Sequence, residues 1–156
     1  MNDKRQDDGV TIFHFADHFL VRCPKCDAQA NVRKTDSKPW LPRNARFTCS
    51  KCPLVEDGSL MGWSDRDPVD WVFHYPLWLQ ANCRGNVLWA YNPAHLDFLE
   101  SYVTAKHRTG LRSKDGERRL RLNSTLASRM PAWIGSAKNR ELVLKTITRL
   151  RQTIVG

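Results

Sequence analysis

The sequence predicts an α+β protein: a small antiparallel β unit, then a small mixed α/β unit that ends in an amphipathic helix. Three observations carry this. Two Cys-x-x-Cys pairs, Cys23-Pro24-Lys25-Cys26 and Cys49-Ser50-Lys51-Cys52, bracket a stretch in which short residues alternate apolar and polar. Residues 71–103 are the most apolar third, with strand-like runs followed by a three-and-four spacing. Residues 136–153 carry apolar side chains at helical spacing, with Val143, Ile147 and Leu150 leading on to Ile154.

Taken in order, residues 1–9 are polar and charged and read as a disordered tail rather than a signal peptide. Residues 10–22 hold two short apolar runs broken by Asp17-His18, which predict two strands, the second leading into the first cysteine turn. Residues 28–34 alternate, with Ala28, Ala30 and Val32 against Gln29, Asn31 and Arg33, as in one strand of a ribbon. Residues 35–44, with Asp36, Ser37, Pro39 and Pro42, predict the loop at its far end, and residues 45–48 the returning strand.

Each cysteine pair places two thiolates on one tight turn, and two facing turns supply four soft ligands to a tetrahedral zinc ion. The spacer of 22 residues, 27–48, is slightly longer than usual for this pattern but accommodates a strand, a loop and a strand. Redox chemistry competes for a single pair but is disfavoured by two at this spacing. Lys25 and Lys51, one inside each pair, lower the cost of gathering four negative sulfurs. Four sulfurs leave no open coordination position, so the metal is structural, and His14 and His18 are expected to be ordinary strand and turn residues.

On these residues the stretch 19–54 resembles the zinc-ribbon superfamily of transcription factors, ribosomal proteins and primase or helicase accessory domains. The resemblance implies a zinc ribbon over residues 10–56 and a second, α+β domain over 57–156, but no particular function. Two departures stand out. Asp27 occupies the position after the first pair where glycine is common, and Asp tolerates a left-handed backbone moderately well. Pro53 follows the second pair and cannot adopt it. Residues 77–108 are also similar to small uncharacterised bacterial proteins with an N-terminal zinc ribbon, which implies no activity.

Residues 55–68 are acidic and contain Gly58 and Gly62, so they read as a linker. Asp65, Asp67 and Asp70 invite a magnesium-nuclease reading, but Asp67-Pro68-Val69-Asp70 is more simply the start of a helix or turn. Residues 71–75 and 77–79 predict strand-like segments around Pro76. Residues 83–86 predict a turn and 87–91 a strand, after which Asn92-Pro93 opens a helix with Leu96, Leu99 and Val103 on its apolar face. Cys83 reads as a small hydrophobe, and His74 and His95 as core or capping residues. A short helix over 125–130 precedes Pro131.

The charge is segregated. The chain has 25 Lys/Arg against 16 Asp/Glu, a net of +9, yet residues 1–105 hold 12 against 13 and residues 106–156 hold 13 against 3. Such a surface attracts a polyanion. Candidate contacts are Lys106, Arg108, Arg112, Lys114, Arg118, Arg119 and Arg121 in a basic loop with the turn Asp115-Gly116, plus Trp40 and Arg43 at the ribbon tip. A basic surface also serves solubility alone, and Trp40 equally suits covering the ribbon's small core. The expected function is a non-enzymatic nucleic-acid-binding or regulatory adaptor. The alternative is a protein-interaction module binding an acidic partner, such as a regulator, an immunity-type protein or an assembly subunit. No nucleophile with its base, phosphate loop or metalloprotease helix is displayed, which ranks an enzyme last. The absence of a roughly 20-residue apolar run and the five cysteines, four in metal spacing, predict a soluble cytoplasmic protein.

Overall fold

A computed structural model describes residues 11–36, 43–60, 66–109 and 130–154, the side chains of 106–109 excepted. The fold is α+β. Strands β1 (His18–Arg22), β2 (Gln29–Lys34), β3 (Asn44–Cys49) and β4 (Val55–Ser59) form an antiparallel meander in sequence order. A hairpin of β5 (Leu79–Cys83) and β6 (Asn86–Ala90) follows. Helix α1 (Pro93–Thr109) comes next, then the short α2 (Ala132–Gly135) and the C-terminal α3 (Arg140–Gln152). The 1–9 tail and the 125–129 part of the expected short helix lie outside the described residues.

The alternation read in the sequence sets the faces of the sheet. Phe19, Val21, Ala30, Val32, Ala45 and Phe47 are buried on one face, joined by Trp71, Leu77 and Tyr91. The other face is polar, with Arg33 opposite Arg46 and Arg46 opposite Asp57 in the register. Leu20 breaks the alternation. It is buried in a second cluster with Leu79, Leu88, Leu96, Leu99, Val143 and Ile147. β1 therefore has three consecutive buried residues because both of its faces are covered.

The free edge of β1 is used as well. The Leu20 amide donates to the Tyr91 carbonyl at 2.8 Å, and the Leu20 carbonyl accepts from the Trp78 amide at 2.9 Å. The Arg22 amide donates to the Pro76 carbonyl at 2.9 Å. Asn92 completes the seam. Its Nδ2 donates to the Phe15 and His18 carbonyls, and its Oδ1 accepts the His95 amide at 2.9 Å, capping α1 as its sequence position predicts. At the far side the Trp78 indole donates to the Thr153 carbonyl beyond α3 at 3.2 Å.

Four expectations are corrected. The first apolar run, expected as a strand, is a 3-10 turn at Ile12–Phe15, where the Thr11 amide donates to His14 Nδ1 at 3.0 Å. The acidic stretch expected as a linker contains β4. Its Glu56 accepts the Tyr75 hydroxyl at 2.5 Å, a bond that leads in pushing that phenol up to about 12. Residues 71–75 turn instead of extending, because buried Asp70 accepts the amides of Val72, Phe73 and Tyr75. Those same bonds occupy the carboxylate that a metal-nuclease site would need. The C-terminal helix also starts later than expected, after a 3-10 turn at Ala137–Asn139.

The hairpin turn fits its residues. Arg84 and Gly85 have φ of 56° and 83°, the left-handed pair that a two-residue hairpin loop requires. Gly58 is needed for another reason: a Cβ there would lie 2.8 Å from Phe73 Cε1 and 3.0 Å from Val72 Cγ1. Gly58→Ala is expected to destabilise the protein by about 1–3 kcal/mol, read as a lower urea midpoint at unchanged slope.

His95 generates a pH dependence. Burial holds it down to about 3 from its ordinary 6.5, so the fold keeps it neutral while the unfolded chain can protonate it. Its contribution is complete above pH 6.5 and is lost as pH falls from there toward 3. Unfolding between these values should take up close to one proton more in the wild type than in His95→Asn at equal metal content, measured from the pH dependence of the urea midpoint. Equal slopes in the two proteins would refute it.

Candidate metal centre

The two cysteine turns lie at the same end of the meander, because each closes one of its hairpins. The first joins β1 to β2 and the second joins β3 to β4, while the β2–β3 register aligns Ala30 with Cys49. The Ser50 hydroxyl and amide both reach the Gln29 carbonyl, at 2.6 and 3.4 Å, which ties the second turn to the first hairpin. Asp27 adopts φ 65°, the left-handed conformation usually taken by glycine at this point. Its carboxylate pairs with Arg22 at 3.5 Å.

This geometry brings all four thiols together. The sulfurs of Cys23, Cys26, Cys49 and Cys52 lie within 4.8 Å of one another. Cys23 and Cys52 are 3.7 Å apart, and Cys26 and Cys49 are 3.4 Å apart. A zinc–sulfur bond of about 2.3 Å gives a regular tetrahedron with edges of about 3.8 Å, so the cluster is compatible with a zinc-binding knot. Backbone amides supply further support: Lys25 donates to Cys23 Sγ at 3.4 Å, and Lys51 and Cys52 donate to Cys49 Sγ at 3.3 and 3.4 Å. Hydrogen bonds of this kind stabilise the thiolate that a metal ion requires.

The thiols respond unequally without a metal. Burial opposes ionisation of Cys49, but the amides of Cys52 and Lys51, with the neighbouring thiols, outweigh it and draw Cys49 down to about 6. At Cys26 the Ala28 amide favours the thiolate. Desolvation and the hydrogen bonds to Cys49, Cys52 and Cys23 together overcome it, pushing Cys26 up to about 12. A divalent ion replaces thiol protons when it binds. Cys23 is buried, Cys49 and Cys52 are half-buried, and Cys26 is exposed.

The other cysteine and histidines are elsewhere. Cys83 is buried in the helical core, 3.8 Å from Thr146 Oγ1. His18 Nε2 bonds Asn31 Oδ1 at 2.7 Å. Of the expected nucleic-acid or partner contacts, Arg43 is exposed just before β3, with its amide on Asp36 Oδ2 at 2.7 Å. Lys106 and Arg108 lie in the last turns of α1, their side chains outside the description. Trp40, Arg112, Lys114, Arg118, Arg119 and Arg121 lie outside the described residues. The basic residues around the C-terminal helix differ in their surroundings. Arg151 is tied to Asp97 and Glu100 at 2.8 and 2.9 Å, whereas Lys138, Lys145 and Arg149 are exposed. Comparison with protein-family models, with curated proteins and with solved structures gives no match for the chain.

The four-cysteine cluster should hold one thiophilic divalent ion per chain. Native mass spectrometry should find it in the wild type and in Cys83→Ser, but not in Cys26→Ser or Cys49→Ser after equal dialysis. Cobalt loading should give the visible bands of a tetrahedral four-thiolate site. Retention of a full equivalent by either ligand variant would exclude the four-sulfur shell.

Proposed function

We propose that the chain is a non-enzymatic, zinc-loaded adaptor that binds nucleic acid through its basic C-terminal third. The observation that carries this is the charge segregation: 13 Lys/Arg against 3 Asp/Glu in residues 106–156, within a chain otherwise close to neutral. Phosphate contacts from such a surface give affinity without sequence preference. Helix α3 supports the reading. Its Lys145 and Arg149, with Lys138 in the 3-10 turn before it, are exposed, whereas Val143, Ile147 and Leu150 are buried.

Zinc is the ion proposed for the cluster because four thiolates in a closed tetrahedron suit it and leave no position for substrate. The ion then fixes the ribbon, and four cysteines in metal spacing support a reducing compartment, the cytoplasm, as its proposed location. Arg43 and Trp40 would add contacts at the ribbon's opposite end, where an aromatic ring can stack on a base.

The test is binding of zinc-loaded protein to short single- and double-stranded DNA and RNA from low to physiological salt. Micromolar binding that weakens steeply with salt is expected, with a duplex slope that flattens by about 0.9 for each phosphate contact removed. Arg112, Arg118, Arg119 and Arg121 changed together to Ala should weaken it at least tenfold, and Lys138, Lys145 and Arg149 changed together should also reduce it. Undetectable binding at physiological salt would refute the proposal and favour an acidic protein partner.

A further inference from the structure

A cavity of about 370 Å³ opens where the N-terminal segment meets the helical half. Its apolar wall is assembled from separate segments: Ile12 of the 3-10 turn, Val87 and Trp89 on β6, Leu99 on α1, and Trp133 on α2. The size falls in the range of small-molecule sites, roughly 300–1,000 Å³, and so does the composition, aromatic and aliphatic with few polar groups. Two polar side chains also line it, His95 and Arg66.

His95 is 3% exposed, and its chemistry is fixed by its surroundings. Nδ1 accepts the Tyr91 amide at 3.0 Å, so in the neutral ring the proton resides on Nε2. Burial keeps the ring neutral at physiological pH. Phe15 stacks on it at 4.9 Å and 5°, and Tyr91 meets it edge-on at 5.2 Å, so the imidazole is held in one orientation. Among the described residues Nε2 has no hydrogen-bond partner. A fixed N–H donor beside an aromatic cavity is a recognition group for an acceptor. Helix capping by Asn92 and the Tyr91 contact account for Nδ1 and the backbone, but not for Nε2 or the space beside it.

We propose that this cavity binds a small planar aromatic carboxylate, its ring against Trp89 and Trp133 and its carboxylate accepting the His95 Nε2–H. A carboxylate is a stronger acceptor for this N–H than a neutral carbonyl, which favours an anion. The site uses none of the basic side chains proposed to contact nucleic acid, so it stands or falls independently of nucleic-acid binding.

Indole-3-carboxylate is the probe, with indole as its uncharged comparator, titrated into the full metal-loaded chain by calorimetry and amide NMR. A Kd below about 100 µM is expected for the acid, within the affinity such a small ligand can reach. Indole should bind at least tenfold more weakly. His95→Asn keeps an acceptor for the Tyr91 amide but deletes the Nε2 donor, and should weaken the acid at least tenfold. Val87 is 45% exposed, so Val87→Trp should fold normally while filling the cavity, and it should weaken binding by a similar factor. No shift at cavity residues at about 1 mM probe, equal binding of indole, or undiminished binding by Val87→Trp would each overturn the proposal.

Discussion

Strand β1 is the constraint on which the remaining structure depends. Its inner face supplies Phe19 and Val21 to the sheet core, its outer face supplies Leu20 to the helical core, and both edges are hydrogen-bonded. A strand used on four sides cannot shift register by one residue without exchanging the contents of two cores. Asn92 reinforces the arrangement at one point. Its side chain joins the Phe15 and His18 carbonyls to the first turn of α1, so helix position and strand position are set together. A buried residue whose amide donors and acceptor are all satisfied is costly to replace, because any substitute leaves partners unpaired.

The ribbon is held from two ends by different physics. At one end the four cysteine sulfurs lie within 4.8 Å of one another, a cluster that could hold a metal ion across the two turns. Further along, an aromatic network occupies the space between sheet and hairpin. Trp71 donates its indole N–H to Tyr91 Oη at 2.8 Å, and Phe19 packs edge-on against Tyr91 at 4.7 Å. Phe47 meets Tyr75 at 5.4 Å, and Phe73 stacks on Tyr75 at 5.5 Å. The aromatic residues that cover the sheet come largely from residues beyond it in sequence, so the ribbon does not have to supply its own core. This explains how a sheet with few large residues is stabilised beyond its metal site.

The sequence was most informative where local chemistry decides the structure. Cysteine spacing identified the four sulfurs, alternation identified β2 and β3, and the Asn92-Pro93 pair identified the start of α1. It was least informative where a distant partner decides. Residues 10–15 have the apolarity of a strand, but β1 is already paired on both edges and His14 folds back onto Thr11. Residues 55–59 are acidic and look like a linker, yet they pair because β3 offers an open edge and Arg46 receives Asp57 at 2.8 Å. Residues 71–75 have strand composition but turn because Asp70 collects three amides, a role its neighbours in sequence do not announce. The cavity beside His95 was invisible for the same reason: its wall comes from segments more than one hundred residues apart.

The ion pairs explain how the basic character becomes directional. Arg22 faces Asp27, Arg46 faces Asp57, and Arg151 faces both Asp97 and Glu100. All are surface pairs and contribute little to stability, but each cancels a cation locally and so shapes the field outside the molecule. A divalent ion held by the four thiolates would carry a formal charge of two minus, which Lys25 and Lys51, one in each turn, would offset. Neutralisation is therefore concentrated in the sheet and along the α1–α3 contact. The exposed face of α3 bearing Lys145 and Arg149, with Lys138 in the turn before it, has one acid, Glu141, and no ion pair to these three cations among the described residues.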